Sequence, residues 1–140
     1  MNKNGPVVVI DDDADDRMIL EQVFRKLGYP NKLEFFNDAD SAITFLKNPA
    51  VQPFIIISDI NMPRINGFAL REMVFNDPAL RSKCIPYIFF TTSADEDATN
   101  RAYALGCQGI FQKPSSYNDV EKLMKEIMVY WMSCISPARF

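Results

Sequence analysis

The pattern that most constrains this chain is a fivefold alternation of short apolar runs with stretches of helical period. Val7–Ile10, Phe54–Ile57 and Tyr87–Phe90 are continuous and rich in β-branched or aromatic side chains, as parallel strands covered on both faces must be. Leu33–Phe36 and Gly109–Gln112 are shorter candidates of the same kind. Between them, Leu20, Val23, Phe24 and Leu27 keep helical spacing and stop at Gly28, which suits a left-handed helix terminus. Ala39, Ala42, Ile43 and Leu46 repeat that spacing behind Asp38 or Asp40 as N-cap. Phe68, Met73 and Val74 belong to a third helix that ends before Asn76-Asp77-Pro78, and a fourth runs from about Asp95 to Leu105 and stops at Gly106. Val120, Leu123, Met124, Ile127 and Trp131 form the last, with Ser116 and Asp119 spaced as a capping pair. Strands and helices alternating in this way, joined by right-handed crossovers, predict an α/β fold: a (βα)5 doubly wound three-layer sandwich around a central five-stranded parallel sheet.

The chain's 140 residues match one domain, with a core of about 6–132 and loose ends at Met1–Gly5 and Ser136–Phe140. Fifteen Lys+Arg against 18 Asp+Glu provide no basic footprint, so direct nucleic-acid binding is not expected. Phe54–Ile57 and Met128–Met132 are far shorter than the roughly 20 apolar residues of a membrane span. No signal-peptide core is visible, and a cytoplasmic location without membrane attachment is expected. Cys84, Cys107 and Cys134 lack any C-x-x-C spacing and read as inert apolar fillers. There is no histidine at all. That excludes Ser-His-Asp and Cys-His nucleophiles, His-ligated zinc and a phosphohistidine on this chain, leaving carboxylates, hydroxyls and lysine for any chemistry.

In a sheet of this type, ligands sit outside the carboxyl ends of the strands, near the point where strand order reverses. The residues found there are chemically coherent: Asp11, Asp12 and Asp13 after the first strand, Asp59 and Asn61 after the third, Thr91, Thr92 and Ser93 after the fourth, and Lys113 after the fifth. Two like charges about 4 Å apart repel by roughly 4 kcal/mol at an effective dielectric near 20, so clustered aspartates need neutralising. Lys113 supplies one positive charge and a divalent ion two, which balances Asp11, Asp12 and Asp59. Oxygen ligands without His or Cys favour magnesium, whose retained waters exchange for phosphate oxygens. Phosphoryl transfer is therefore the chemistry expected, with Asp59 as acceptor because it stands alone after the central strand. Asp11 and Asp12 would hold the metal with the backbone carbonyl of Asn61, while Thr91 and Lys113 would contact phosphoryl oxygens. Asp13, Asp15 and Asp16 read as acids of a helix first turn, favourable to its dipole.

Four motifs in this order resemble the receiver domain of two-component response regulators: Val7-Val8-Val9-Ile10-Asp11-Asp12-Asp13; Ser58-Asp59-Ile60-Asn61-Met62-Pro63 with Gly67 beyond; Phe90-Thr91-Thr92; and Gln112-Lys113-Pro114. The resemblance runs from about Val7 to Trp131. It implies a flavodoxin-like chemotaxis-type fold, phosphorylation of Asp59, magnesium on Asp11, Asp12, Asp59 and the Asn61 carbonyl, phosphoryl contacts from Thr91, Thr92 and Lys113, and a cis bond between Lys113 and Pro114. It also implies a signalling domain rather than an enzyme, one that assists its own magnesium-dependent phosphorylation and dephosphorylation. A histidine kinase or histidine phosphotransfer protein would be the donor, a downstream protein the target, and a homodimer through the last helices and strand is a further possibility the resemblance admits. The Thr-Thr-Ser and the aromatic last helix look most like stand-alone regulators paired with phytochrome-type kinases, with no attached output domain.

Two positions depart from the family. Ile110 stands where an aromatic is usual, and Phe111 beside it must face the other way because strand side chains alternate. Thr92 replaces a smaller residue, and its bulk would hinder access to a phosphoryl group. Two other functions share parts of this pattern. A haloacid-dehalogenase-like magnesium-dependent phosphatase also uses an aspartyl nucleophile, but Asn61 replaces its second Asp. A receiver fold used only for binding is opposed by intact Asp59 and Lys113. Tyr130 and Trp131 are expected to cover the core or its edge.

Overall fold

The computed structural model describes residues 1–137. Its elements follow in the order β1 Val7–Ile10, α1 Ala14–Leu27, β2 Leu33–Phe36, α2 Ala39–Lys47, β3 Ile55–Ser58, α3 Gly67–Asn76, α4 Pro78–Arg81, β4 Tyr87–Thr91, α5 Glu96–Ala104, β5 Gly109–Gln112 and α6 Tyr117–Ser133. The strands form one parallel sheet in the order β2-β1-β3-β4-β5, as expected of a doubly wound sandwich. Every residue of β1, β3 and β4 is buried, which is why these three stand out as apolar runs, whereas β2 is half-buried throughout. Alternation along the strands splits the core in two. Val8, Ile10, Ile56, Tyr87 and Phe89 pack with α2, α3 and α5; Val7, Val9, Ile55, Ile57, Ile88 and Phe90 pack with α1 and α6.

Capping fixes where the helices begin. Asp13 accepts from the Asp15 and Asp16 amides, Asp38 from Ser41, Asp95 from Ala98 and Ser116 from Asp119. α1 ends at Gly28, whose φ of 75° is the left-handed conformation the terminus needs. The short α4 is not visible in the sequence pattern. Asp77 closes α3 and at once caps α4, with Pro78 at the first helical position, so the segment read as a stop is a stop and a restart.

Several expectations need correction. Residues 1–5 are anchored, not loose: Met1 is 4% exposed within the α1/α6 core, its amino group donates to the Lys83 carbonyl, and Asn31 Nδ2 donates to the carbonyls of Lys3 and Gly5. The third strand begins at Ile55, although Phe54 is fully buried. Cys107 is a buried filler and Cys134 packs partly on the core, but Cys84 is exposed at a left-handed turn with φ 53°. Trp131 covers the core edge, whereas Tyr130 points outward because it falls on the solvent side of α6. At the other end, Ser136 and Pro137 lie outside any helix or strand, and residues 138–140 of the supposed loose end lie outside the described residues. Among the described residues, no helix is long and apolar enough to cross a membrane.

Candidate functional site

β1 is flanked by β2 on one side and β3 on the other, so the strand order reverses there. The register pairs Ile10 with Ser58, which brings the next residues, Asp11 and Asp59, out at the same level. The Asp59 amide donates to the Ile10 carbonyl at 2.9 Å, locking that alignment. Asp11 is 2% exposed and Asp59 8% exposed, whereas Asp12 is open to solvent. One carboxylate oxygen from each of the three lies within 4.8 Å of the others.

Lys113 enters from the end of β5. Its backbone amide donates to the Thr91 carbonyl at 2.8 Å. Its Nζ donates to Oδ2 of Asp11 at 2.8 Å, of Asp16 at 2.7 Å and of Asp59 at 3.0 Å. The Lys113 side chain is 6% exposed, and its Nζ lies 5.8 Å from the Phe90 ring centroid. Burial by itself would lower the Lys113 pKa, but the hydrogen bonds it donates to Asp11 and Asp16, and then to Asp59, carry it above the ordinary lysine value, so the group stays charged. Asp11, the most buried of the acids, has its pKa raised: desolvation outweighs the hydrogen bonds from Lys113 and the Asp13 amide.

The remaining oxygens of the buried pair are oriented by backbone. Asp59 Oδ1 accepts from the Ile60 amide at 2.7 Å, and Asp11 Oδ1 from the Asp13 amide at 2.9 Å. Each carboxylate oxygen keeps a further lone pair. The donor set is entirely hard oxygen, with one lysine against four acids, and it therefore fits a divalent cation of the magnesium or manganese type. Behind Asp59 the packing is tight. A Cβ on Gly67 would lie 2.1 Å from the Asp59 carbonyl oxygen, and the Gly67 amide donates to Ile60 at 2.7 Å. Glycine is required there because two backbones touch.

The rim is formed by the loop after β4. Thr91 is fully buried, and its Oγ1 accepts from the Ser93 amide at 3.2 Å. Thr92 is exposed. Asn61 Nδ2 donates to Ser93 Oγ at 3.0 Å, tying the loop after β3 to the loop after β4. Ile110 packs on the α2/α3/α5 core and Phe111 on the α1/α6 core, so the two point to opposite faces as alternation requires.

Asp11, Asp12, Asp59 and Lys113 thus come together, with Thr91 and the Asn61 side chain tied to Ser93 at the rim and Thr92 turned to solvent; one correction and two additions follow. Among the described residues no peptide bond is cis, so the Lys113–Pro114 bond is trans and the expected cis bond is absent. The trans isomer is preferred intrinsically by about 0.5–1 kcal/mol, and Lys113 reaches all three carboxylates with it. Asp16 is an addition: besides lying in the first turn of α1, it pairs with Lys113. An acid in a first helical turn is already satisfied by the helix dipole, so the sequence carried no local signal of this second contact. Gln112 is the other, for its side chain bonds the loop after β4. An exposed glutamine carries no sequence signal of its own.

Comparison with known proteins agrees with this geometry. The family model described as response regulator receiver domain matches residues 7–127. The probable methanogenesis regulatory protein FilR2 of Methanothrix harundinacea is 25% identical over 130 residues, covering 90% of this chain and 83% of that one. Among solved structures, the phosphorylated cyanobacterial phytochrome response regulator RcpA superposes with a TM-score of 0.84 at 22% identity, over 95% of this chain and 97% of the other. The Mn2+-bound form of response regulator Rcp1 does so with a TM-score of 0.82 at 23% identity, over 96% and 99%. With the sheet order, the four-motif site and a family match along most of its length in agreement, the chain belongs to the response regulator receiver domains of two-component signalling.

Proposed function

We propose that this domain accepts a phosphoryl group on Asp59 from a phosphohistidine and uses the modification to switch a protein-binding surface. The observation that carries the reading is Asp59 itself: a carboxylate at the end of the central strand, clustered with Asp11 and Asp12 and held 3.0 Å from a buried ammonium. In the reaction, an Asp59 carboxylate oxygen attacks the donor phosphorus. A P–O bond forms, the donor P–N bond breaks, and the leaving imidazole keeps the electron pair and takes a proton. Lys113 then faces the added negative charge, and the Thr91 hydroxyl supplies a hydrogen bond to a phosphoryl oxygen. Asp11, Asp12, Asp59 and the Asn61 carbonyl would hold magnesium, which supplies charge neutralisation at the transferring group.

The absence of histidine from these 140 residues supports a donor outside this domain. Tethering Thr91 and Ser93 to the same rim gives phosphorylation a route to the loop after β4 and the surface around α5, β5 and α6. The test is to incubate the protein with magnesium and a small acyl phosphate and to measure intact mass. One base-labile phosphoryl adduct is expected, lost in Asp59→Asn. Persistence of the adduct in that variant would overturn the assignment.

A further inference from the structure

Resting on that reading of Asp59, we propose that Gln112 is a positioning residue for the phosphoryl-binding loop, a role that the residue at 110 does not fill. Gln112 ends β5 immediately before Lys113. Its Nε2 donates to the Thr92 carbonyl at 2.8 Å, and its Oε1 accepts from the Ala94 amide at 3.3 Å. The two bonds fix the orientation of the amide, since only the nitrogen donates and only the oxygen accepts. They bracket Ser93, whose own amide donates to Thr91 Oγ1 and whose hydroxyl accepts from Asn61.

The consequence falls on Thr91. With its oxygen accepting from Ser93, the hydroxyl hydrogen is left to be donated elsewhere, and its direction depends on where the 92–94 backbone is held. Successive strand residues face opposite ways, so the end of β5 presents Lys113 to the carboxylates and Gln112 to the loop. Two adjacent residues therefore hold the two sides of the space a phosphoryl group would enter. Ile110 shares the Gln112 face but packs into the apolar core. The polar contact from β5 to the loop comes from position 112.

The test uses the full chain and Gln112→Met, which keeps side-chain length without either hydrogen bond. Gln112 is exposed, so the variant should fold, and Gln112→Ala serves as a second variant. Beryllofluoride binding at saturating magnesium is followed by fluorine NMR, magnesium binding alone by calorimetry, and exchange of the Ala94 amide by proton NMR. Both variants should bind beryllofluoride about three- to tenfold more weakly, the loss expected for two solvent-facing hydrogen bonds. Magnesium affinity should be unchanged, because the Gln112 side chain bonds Thr92 and Ala94 and none of the carboxylates, and Ala94 exchange should accelerate. Unchanged or tighter beryllofluoride binding in the variants, with normal binding in the wild type, would overturn the role of Gln112 and leave Asp59 intact. An equal loss of magnesium affinity would mark general disruption and also overturn it. Failure of the wild type to bind beryllofluoride would overturn the Asp59 reading first and this inference with it.

Discussion

Replacing Lys113 by methionine removes one buried positive charge from among four aspartates while keeping most of the side-chain volume. Its ammonium lies 2.8, 2.7 and 3.0 Å from Asp11, Asp16 and Asp59. Asp16 is 28% exposed on its side chain and can re-solvate, but Asp11 at 3% and Asp59 at 10% cannot. Breaking a buried pair by deleting one partner costs about 3–5 kcal/mol, and the repulsion left between two carboxylates at about 4 Å is of the same order at an effective dielectric near 20. In the presence of a chelator, Lys113→Met should therefore lose about 3–5 kcal/mol of unfolding free energy. A divalent cation neutralises the same carboxylates, so magnesium should restore part of that loss, and its affinity should be higher in the variant than in the wild type. A coupling of about 1–3 kcal/mol between lysine and metal corresponds to a roughly 5- to 150-fold gain. The assay is urea unfolding of both proteins with chelator and across a magnesium series, read as the shift in midpoint. If magnesium raises the variant's midpoint by no more than the wild type's, the lysine and the metal do not share the same charge, and the electrostatic account of the site is wrong.

The same pair predicts a pH signature. The Lys113 pKa is raised in the folded state, so its contribution is fully present below the unfolded value of 10.5 and is lost as pH rises through the higher native value. The stability gap between wild type and Lys113→Met should stay level up to about pH 10.5 and narrow beyond it; a gap that closes at neutral pH would contradict the assignment. Gly67→Ala would drive a Cβ to 2.1 Å from the Asp59 carbonyl, and should cost about 2–4 kcal/mol in chemical unfolding while weakening beryllofluoride binding. A variant of normal stability would show that the α3 start moves freely. Lys83 is 6% exposed, with its ammonium donating to the carbonyls of Leu46, Asn48 and Val51 at 2.6, 3.0 and 2.8 Å. Lys83→Met should lower stability by about 2–3 kcal/mol with beryllofluoride affinity unchanged, because those carbonyls lose their donor far from Asp59. A loss below about 0.5 kcal/mol would mean water replaces the ammonium there.

What could be read from the sequence follows from how local each determinant is. β1, β3 and β4 are legible because both faces are buried, so no polar residue interrupts them. Asp11, Asp12, Asp59, Thr91 and Lys113 are legible because a parallel sheet puts every strand's carboxyl end on one side, so order along the chain becomes proximity in space. α4 is hidden because Pro78 after Asp77 reads as termination, and whether a capped proline ends one helix or opens another depends on Leu80 finding the core. The Met1 anchor is hidden for the same reason, since the contact that holds it, Lys83, comes 82 positions later.

Asp16 and Gln112 show the limit more sharply. An acid in a first helical turn is satisfied by the helix dipole alone, so nothing local demands that Asp16 have a second role. The role arises because the Asp13 cap and the burial of Leu20, Val23 and Phe24 set the angle at which α1 leaves β1, and that angle turns Asp16 toward Lys113. Four carboxylates around one ammonium are then more negative than the three the sequence suggested, which strengthens the demand for a cation at this site beyond the original balance of charge. Asp16→Asn should therefore weaken magnesium binding only about two- to fivefold, through lost field at a distance rather than a lost ligand. A loss as large as that of Asp12→Asn in the same titration would instead make Asp16 a ligand and require the metal to sit nearer α1.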